Sequence, residues 1–429
     1  MAEKGGETVI TLRRPPAGEA PAPDLIAACL RRRRALAPEY ERLRAYYEGR
    51  NPTILSRVED EGHGSTRLPH PFARYIALTS AGYLTGRPIV YEAPGQEAAL
   101  RRLTDCFHEN AMDSVDAEIA LQASIYGKGV ERVYTDRQGQ TRSVAVSPED
   151  ALVVYDDTVA HEPLFGLCLT RLTTPDGAPD GSLLEVLTDR ERLVYRLKGE
   201  DTLTEAAPIR REKHYFGQPP LIEYWNNSDE TGDFATVLPL IDGYDLLQSE
   251  RLHDKEAFAD SLLVLTGCQL EQGWHTRVTT GPDGSPVTER VPDEDPARRL
   301  RRERCLSLPD SDASAQYLTH SLHEADTEVL RAALREDIHK FCFVPDLSDR
   351  QFAQNLSGVA MQYKLMGLEQ WASVKERWFR EGLRLRLALY ARMLALGGGP
   401  TLDPKGITCK FSRAITADAV VGGTGVPPA

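Results

Sequence analysis

The sequence predicts an α+β protein in which long amphipathic helices frame a small, mostly antiparallel β module and carry an inserted segment. Three observations lead there. Across residues 130–197, short runs rich in β-branched and aromatic residues alternate with turn signals. From about residue 238 the pattern becomes helical, with apolar residues at three- and four-residue spacing over long stretches. Between the last two helices lies VPDLSDRQFAQNLSGVAMQYKL (344–365), which opens polar and rich in helix breakers. There Pro345, Asp346, Ser348, Asp349, Asn355, Ser357 and Gly358 disfavour helix interiors or favour caps and turns. A loop between two such helices projects from a rigid frame, a position suited to contact with another molecule.

Taken in chain order, residues 1–23 are rich in Pro, Gly, Ala and Glu and read as a mobile arm. Asp24 is placed to cap a helix through Leu25, Ile26, Cys29 and Leu30 into Arg31–Arg34. A second helix covers 38–47, with Gly49 as its stop. The polar run 57–66 is a loop, and 72–84 reads as a helix with Phe72, Tyr75, Ile76, Thr79 and Tyr83 on one face. The β-rich module occupies 130–215, with turns at 136–139 and in PDGAPDG at 175–181. Helix returns over 237–267, where Pro239 suits the first turn and Leu240, Tyr244, Leu247, Phe258 and Leu262 continue the pattern.

Residues 268–318 form an inserted module with a GPDGSPV hairpin turn and a basic cluster at Arg298, Arg299, Arg301, Arg302 and Arg304. A second long helix covers 319–344. Ser321 and Glu324 have capping-box spacing, and Leu330, Leu334, Ile338 and Phe341 form its apolar stripe. After the 345–356 loop, a third helix covers 357–396, roughly 60 Å if continuous. Gly367 and Gly382 are its candidate kink points. The return segment 397–417 holds a late strand at 407–415, and 418–429 is a loose tail.

The chain of 429 residues is long enough for a substantial core in two or more lobes. An apolar share of 41% and a charged share of 27% are those of a soluble globular protein. Cys29, Cys106, Cys168, Cys268, Cys305, Cys342 and Cys409 are scattered singly and no signal peptide precedes them, which indicates reduced thiols in a cytoplasm. No apolar run approaches the roughly 20 residues that span a bilayer. A formal net charge of −13 argues against a dedicated tight nucleic-acid binder, whose affinity comes from neutralising phosphates.

Several segments stand out in order: YYEGRNP (46–52), FARYIALTSAGYLTGRPIVY (72–91), FGQPPLIEYWNNSDETGDF (216–234) and LIDGYDLLQSERLHDKEAFADSLLVLTG (240–267). PDLSDRQFAQNLSGVAMQYKLMGLEQWASVKERWF (345–379) and KFSRAI (410–415) follow. Together they resemble the portal (connector) proteins of tailed bacteriophages, specifically the SPP1-type group. The resemblance implies the portal-protein fold, with 24–236 as the wing, 237–267 and 319–344 as stem helices, and 268–318 as the clip. By the same token 345–356 is the channel (tunnel) loop, 357–396 the long wing/crown helix, 397–417 a return with a wing strand, and 418–429 a reduced crown. It further implies a virion component, assembled in the host bacterial cytoplasm as a ring, twelve subunits at one capsid vertex, with double-stranded DNA passing along its axis. Implied partners are further copies of the chain, DNA held weakly and without sequence preference, the terminase large subunit, the major capsid or scaffolding protein, and the head–tail connector. No cofactor, metal or membrane is implied.

Residue by residue, the resemblance assigns Asp346, Asp349, Arg350, Gln351, Gln354, Asn355 and Ser357 to the DNA channel loop. Arg350 is the one formal cation of that loop. The plainer alternative is a solvated connection between helices. Trp274, Arg298, Arg299, Arg301 and Arg302 are candidate clip docking residues; the alternative for the arginines is a surface run balanced by Asp293, Glu294, Asp295 and Glu303. On the third helix, Lys364, Lys375, Arg377, Arg380, Arg384 and Arg386 mix with large apolar residues and read as a basic face. Trp371, Lys375, Trp378 and Arg380 are its candidate subunit-interface residues, the alternative being a helix packed on its own subunit.

No catalytic motif competes. GxxxxGK[ST], HExxH, GxSxG and CxxC are absent, and Gly127-Lys128-Gly129 lacks the preceding glycine and following hydroxyl of a phosphate loop. His253, His320 and His339 lie on helical stretches without a ligand partner at metal spacing. Asp156-Asp157 is an isolated pair, short of the set a two-metal nuclease requires. The expectation is therefore a non-enzymatic DNA conduit. Its alternative is an oligomeric head–tail adaptor or scaffold that binds proteins without conducting DNA.

Overall fold

The computed structural model describes residues 10–12, 20–57, 66–199, 202–258, 262–266, 274–280, 286–292, 314–318, 324–347 and 358–413. The fold is α+β, with helices interleaved among several small, mainly antiparallel sheets. Two compact units divide it: Met1–Val58, Arg67–Leu246 and Leu330–Ala429 form the first, Glu59–Thr66 and Leu247–Val329 the second.

In the first unit, strand β1 (Ile10–Leu12) pairs in parallel with β5 (Ala151–Asp156), so part of the expected loose arm is a sheet edge. Ile10 and Leu12 pack on the core beneath, which supplies the burial that a mobile arm lacks. Helix α1 (Pro23–Tyr47) is continuous, where the sequence suggested two helices. Pro38 lies inside it on the exposed side, as does Arg34 one turn earlier, so the carbonyl deprived of a partner faces solvent. Pro23 takes the first helical position, and Asp24 sits in the first turn rather than capping it. Gly49, with φ of 76°, turns the chain beyond the helix end.

The β-rich region forms two sheets rather than one. The larger has the order β1, β5, β6 (Pro163–Thr173), β7 (Pro179–Leu187), β8 (Glu191–Lys198), β10 (Arg210–Lys213), with β9 (Thr202–Leu203) also on β8. The smaller is β11 (Leu221–Trp225), β3 (Lys128–Thr135), β4 (Thr141–Val146). The late strand, here β16 (Thr408–Lys410), pairs antiparallel with β2 (Val90–Glu92). Helix α2 (Pro52–Leu55) is a single turn capped by Asn51. Helix α3 (Phe72–Thr85) follows the sequence reading, whereas α4 (Glu97–Glu109) and α5 (Met112–Tyr126) were not foreseen.

Helix α6 (Leu238–Phe258) is shorter than expected: the run LLVLT that ends its reading is strand β12 (Leu262–Thr266). That run is apolar without a polar face, a pattern shared by buried strands and helices. In the second unit β12 pairs with β15 (Ser314–Leu318), and β13 (Trp274–Thr280) pairs with β14 (Pro286–Pro292). Arg251 of α6 meets Glu328 of α7 (Glu324–Phe341) at 3.0 Å. Ser321 and the Arg298–Arg304 cluster lie outside the described residues.

Helix α8 (Gly358–Leu396) has 39 residues, ~58 Å of helix, and follows the sequence reading closely. Its inward stripe steps alternately by three and four residues: Leu365, Leu368, Ala372, Lys375, Phe379, Gly382, Arg386, Leu389. The first half joins a core built with α1, α3, α6 and α7; the second joins a core built with α4, α5 and β11. Burying Phe379 and Leu383 fully contributes about 1.5–3 kcal/mol each.

Gly382 is a close-packing position: a Cβ there would lie 2.3 Å from the Tyr224 ring, whereas one at Gly367 would meet Phe343 at 3.7 Å. Gly382→Ala is expected to cost about 1–3 kcal/mol by overpacking. Gly367→Ala should be neutral or stabilise by up to about 1 kcal/mol through helix propensity. Denaturation midpoints of the two variants check this; equal effects would remove the packing argument.

Candidate functional site

The candidate site is the root of the 345–356 loop and the helix that receives it. Helix α7 closes with Cys342 N–H donating to the Ile338 carbonyl at 3.2 Å. Phe343 then adopts φ of 61°, a left-handed conformation that costs a residue with a Cβ roughly 1–2 kcal/mol. Its surroundings hold it there. The Phe343 ring stacks on Trp371 of α8 at 5.8 Å and 21°, and Val344 is fully buried next to it in sequence. His339 Nδ1 lies 2.9 Å from the Val344 carbonyl; since a carbonyl only accepts, that nitrogen carries the proton.

Beyond Val344, the Tyr75 hydroxyl donates to the Pro345 carbonyl at 2.8 Å and accepts from the Leu347 N–H at 3.0 Å. Burial pushes the Tyr75 phenol above its ordinary value, so it stays a neutral donor. Of the expected channel-loop residues, Asp346 is seen: its carboxylate is turned to α7, 3.8 Å from Arg335 Nε and 3.9 Å from His339 Nε2. Asp349, Arg350, Gln351, Gln354, Asn355 and Ser357 lie outside the described residues. Phe341, Phe343, Leu347, Tyr363 and Met366 all leave apolar surface exposed about the two ends of the loop.

The expected basic face of α8 needs correction at two positions. Lys375 is 2% exposed and Arg386 fully buried, so neither belongs to an outer surface. Lys375 Nζ donates to Asp233 Oδ2 at 2.6 Å and to Ser80 Oγ at 3.0 Å. The same carboxylate accepts from Trp371 Nε1 at 2.9 Å, from Asn226 Nδ2 at 2.8 Å and from the Ser124 hydroxyl. Burial alone would raise the Asp233 carboxyl; the Lys375 ammonium and the converging donors outweigh it and hold the group below its ordinary value. Arg386 reaches Asp116 Oδ1 at 2.6 Å and Glu131 Oε2 at 2.9 Å, and lies over the Tyr224 ring. Desolvation moves Asp116 up to about 6 despite Arg386.

Of the other candidates on α8, Trp371 is half-buried against Phe343, and Trp378 is half-buried. Arg380 pairs with Glu376, donates to the Cys409 carbonyl at 3.3 Å and lies over Phe411, so it ties α8 to the return segment. Trp274, 52% exposed, sits on the β13–β14 hairpin with Arg290 over its ring. Arg298, Arg299, Arg301 and Arg302 are outside the described residues. Sequence reasoning missed Asp233, Asp116 and Glu131. The signal was present on their partners: a lysine and an arginine in step with an apolar stripe need buried carboxylates.

The sequence pattern described as "Phage portal protein, SPP1 Gp6-like" matches residues 26–419, which takes in the loop root, α8 and every buried pair above. The chain belongs to the SPP1-type phage portal family. It is similar to the portal protein of Bacillus phage SPP1, at 22% identity over 396 residues covering 86% of this chain and 70% of that relative. A portal protein is a component of the phage head, and its part in the particle is structural. Among the described residues no helix is long and apolar enough to cross a membrane. No group of three or more His, Cys, Asp or Glu able to hold a metal is found among them either.

Lys375→Met should cost about 3–5 kcal/mol at neutral pH by leaving Asp233 charged and buried without its counter-ion. In the wild type the Asp233 contribution is complete above the ordinary carboxylate value of 3.8 and fades as pH falls through the lower folded value. In the variant, burial raises the carboxyl, so acid protonates it and removes the penalty. The stability gap between the two proteins should therefore narrow from pH 7 to pH 4.5 in denaturant titrations. A constant gap would show that the pair is not the cause.

Proposed function

We propose that copies of this chain form a closed ring, twelve at one vertex of the capsid, and that the 345–356 loop faces double-stranded DNA passing along the axis. The observation that carries this reading is the seating of the loop. A polar segment leaves α7 from a root fixed by Tyr75, His339 and Phe343 and returns into a 39-residue helix locked by buried ion pairs. A loop held by so stiff a frame can present itself at the same place in every subunit.

The chemistry suits a conduit. Each phosphate neutralised by a fixed cation adds affinity through counter-ion release, and strong binding would arrest a moving duplex. A net charge of −13 keeps DNA off the walls, while loop amides and one arginine per subunit supply transient, sequence-blind contact. In this reading the clip at 268–318 docks the terminase motor during packaging and the head–tail connector afterwards. The wing, 24–236, meets the capsid or scaffolding protein. DNA passes chemically unchanged, and no catalytic step is assigned to the chain.

Electron microscopy of the purified full chain should show closed rings with an axial hole wide enough for a duplex; monomers, or rings with no such hole, defeat the proposal. Arg350→Glu should leave the rings intact and lower the yield of nuclease-protected DNA, and an unchanged yield removes Arg350 from the contact set. Deleting residues 275–295, which takes out most of the β13–β14 hairpin, should spare ring formation and abolish binding of the motor or connector. Retained binding refutes the clip assignment.

A further inference from the structure

We infer that the Tyr75 hydroxyl is the positioning group of the channel loop, fixing where residues 345–347 leave the frame while contributing little to the fold itself. The inference rests on the portal reading for the loop's purpose and on local geometry for the rest. Tyr75 lies in the first turn of α3, far from the loop in sequence, and its ring packs at the edge of a core that contains Ile76, Ile338, Val344 and Leu368. A phenylalanine would serve that packing equally well. What only a tyrosine supplies is the oxygen beyond the ring, which reaches two backbone groups that flank Asp346.

Those two groups are a carbonyl and an N–H that no helix or strand satisfies. No other hydrogen bond to the Pro345 carbonyl or the Leu347 N–H is found among the described residues. One hydroxyl therefore donates to one and accepts from the other, doing for this turn what a neighbouring strand does for a sheet edge. The ring is itself braced by an edge-to-face contact with His339 at 5.6 Å, and His339 holds the preceding Val344 carbonyl. On the other side Phe343 stacks on Trp371, whose indole N–H is fixed on Asp233. The left-handed Phe343 persists because both sides over-determine it.

The test is Tyr75→Phe in the full chain, with Tyr83→Phe as the matched control. Tyr83 lies on the same helix and likewise loses only its hydroxyl, with the 2.7 Å bond that it donates to Glu369 of α8. Amide hydrogen exchange of the assembled ring should show the Leu347 N–H exchanging about five- to tenfold faster in Tyr75→Phe, the worth of one to two modest hydrogen bonds. Ring size should be unchanged, and Tyr83→Phe should leave Leu347 at the wild-type rate. An unchanged Leu347 rate in Tyr75→Phe, or equal acceleration in both variants, overturns the inference. Packaged DNA measured in the same variants separates this inference from the functional reading. Faster exchange with lower yield supports both; faster exchange with normal yield upholds the Tyr75 anchor and counts against the loop as the DNA contact.

Discussion

Two cations buried along one face of α8 constrain everything packed around it. A helix held by an apolar stripe alone tolerates small slides and rotations, because hydrophobic contact is non-directional. A buried ammonium or guanidinium does not, since displacement from its carboxylates exposes the full cost of an unpaired charge in a low-dielectric interior. Lys375 and Arg386 lie about three turns apart and draw their partners from different elements. Asp233 comes from the segment before α6, Asp116 from α5 and Glu131 from β3. Together they set the rotation and the axial position of α8 against α5, β3 and the segment before α6.

That constraint passes directly to the loop. Trp371 precedes Lys375 by one turn, donates to the same Asp233 carboxylate, and offers its face to Phe343 at the end of α7. The ion pair, the indole and the left-handed backbone of Phe343 thus form one contiguous run from the buried Asp233 to the point where the loop departs. On the return side, Leu365 and Leu368 of α8 lie in the same core that holds Val344 and Ile338. Val344 before the loop and Leu365 and Leu368 beyond it thus share a single core, which under the proposed ring would present the loop alike in each copy.

The arrangement also separates two uses of charge. Arg386 and Lys375, read from sequence as part of a basic outer face, are consumed inside the chain, where they orient a helix. Arg380 and Arg413 tie α8 to the return segment, to Glu369 and to Glu376. Those four cations are spent on contacts within the chain, whose formal net charge is −13. In the proposed conduit that is an advantage, because strong phosphate binding would arrest a moving duplex.

Sequence alone determined the long helix from Gly358 to Leu396, the polar break before it, the hairpin turns of the β module and the family to which these segments belong. Each is written in residues close together along the chain: a repeat of three and four, a cluster of breakers, a turn glycine. Only the tertiary structure decided that α1 runs through Pro38, that 262–266 is a strand rather than helix, that the β-rich stretch splits into two sheets, and that Lys375 and Arg386 point inward. The strand at 262–266 depends on its pairing with 314–318, and the two inward cations on carboxylates 142 to 270 residues away, partners that no local pattern records. The stripe from Leu365 to Leu389 marks where two charges must be buried; the fold alone names the carboxylates that meet them.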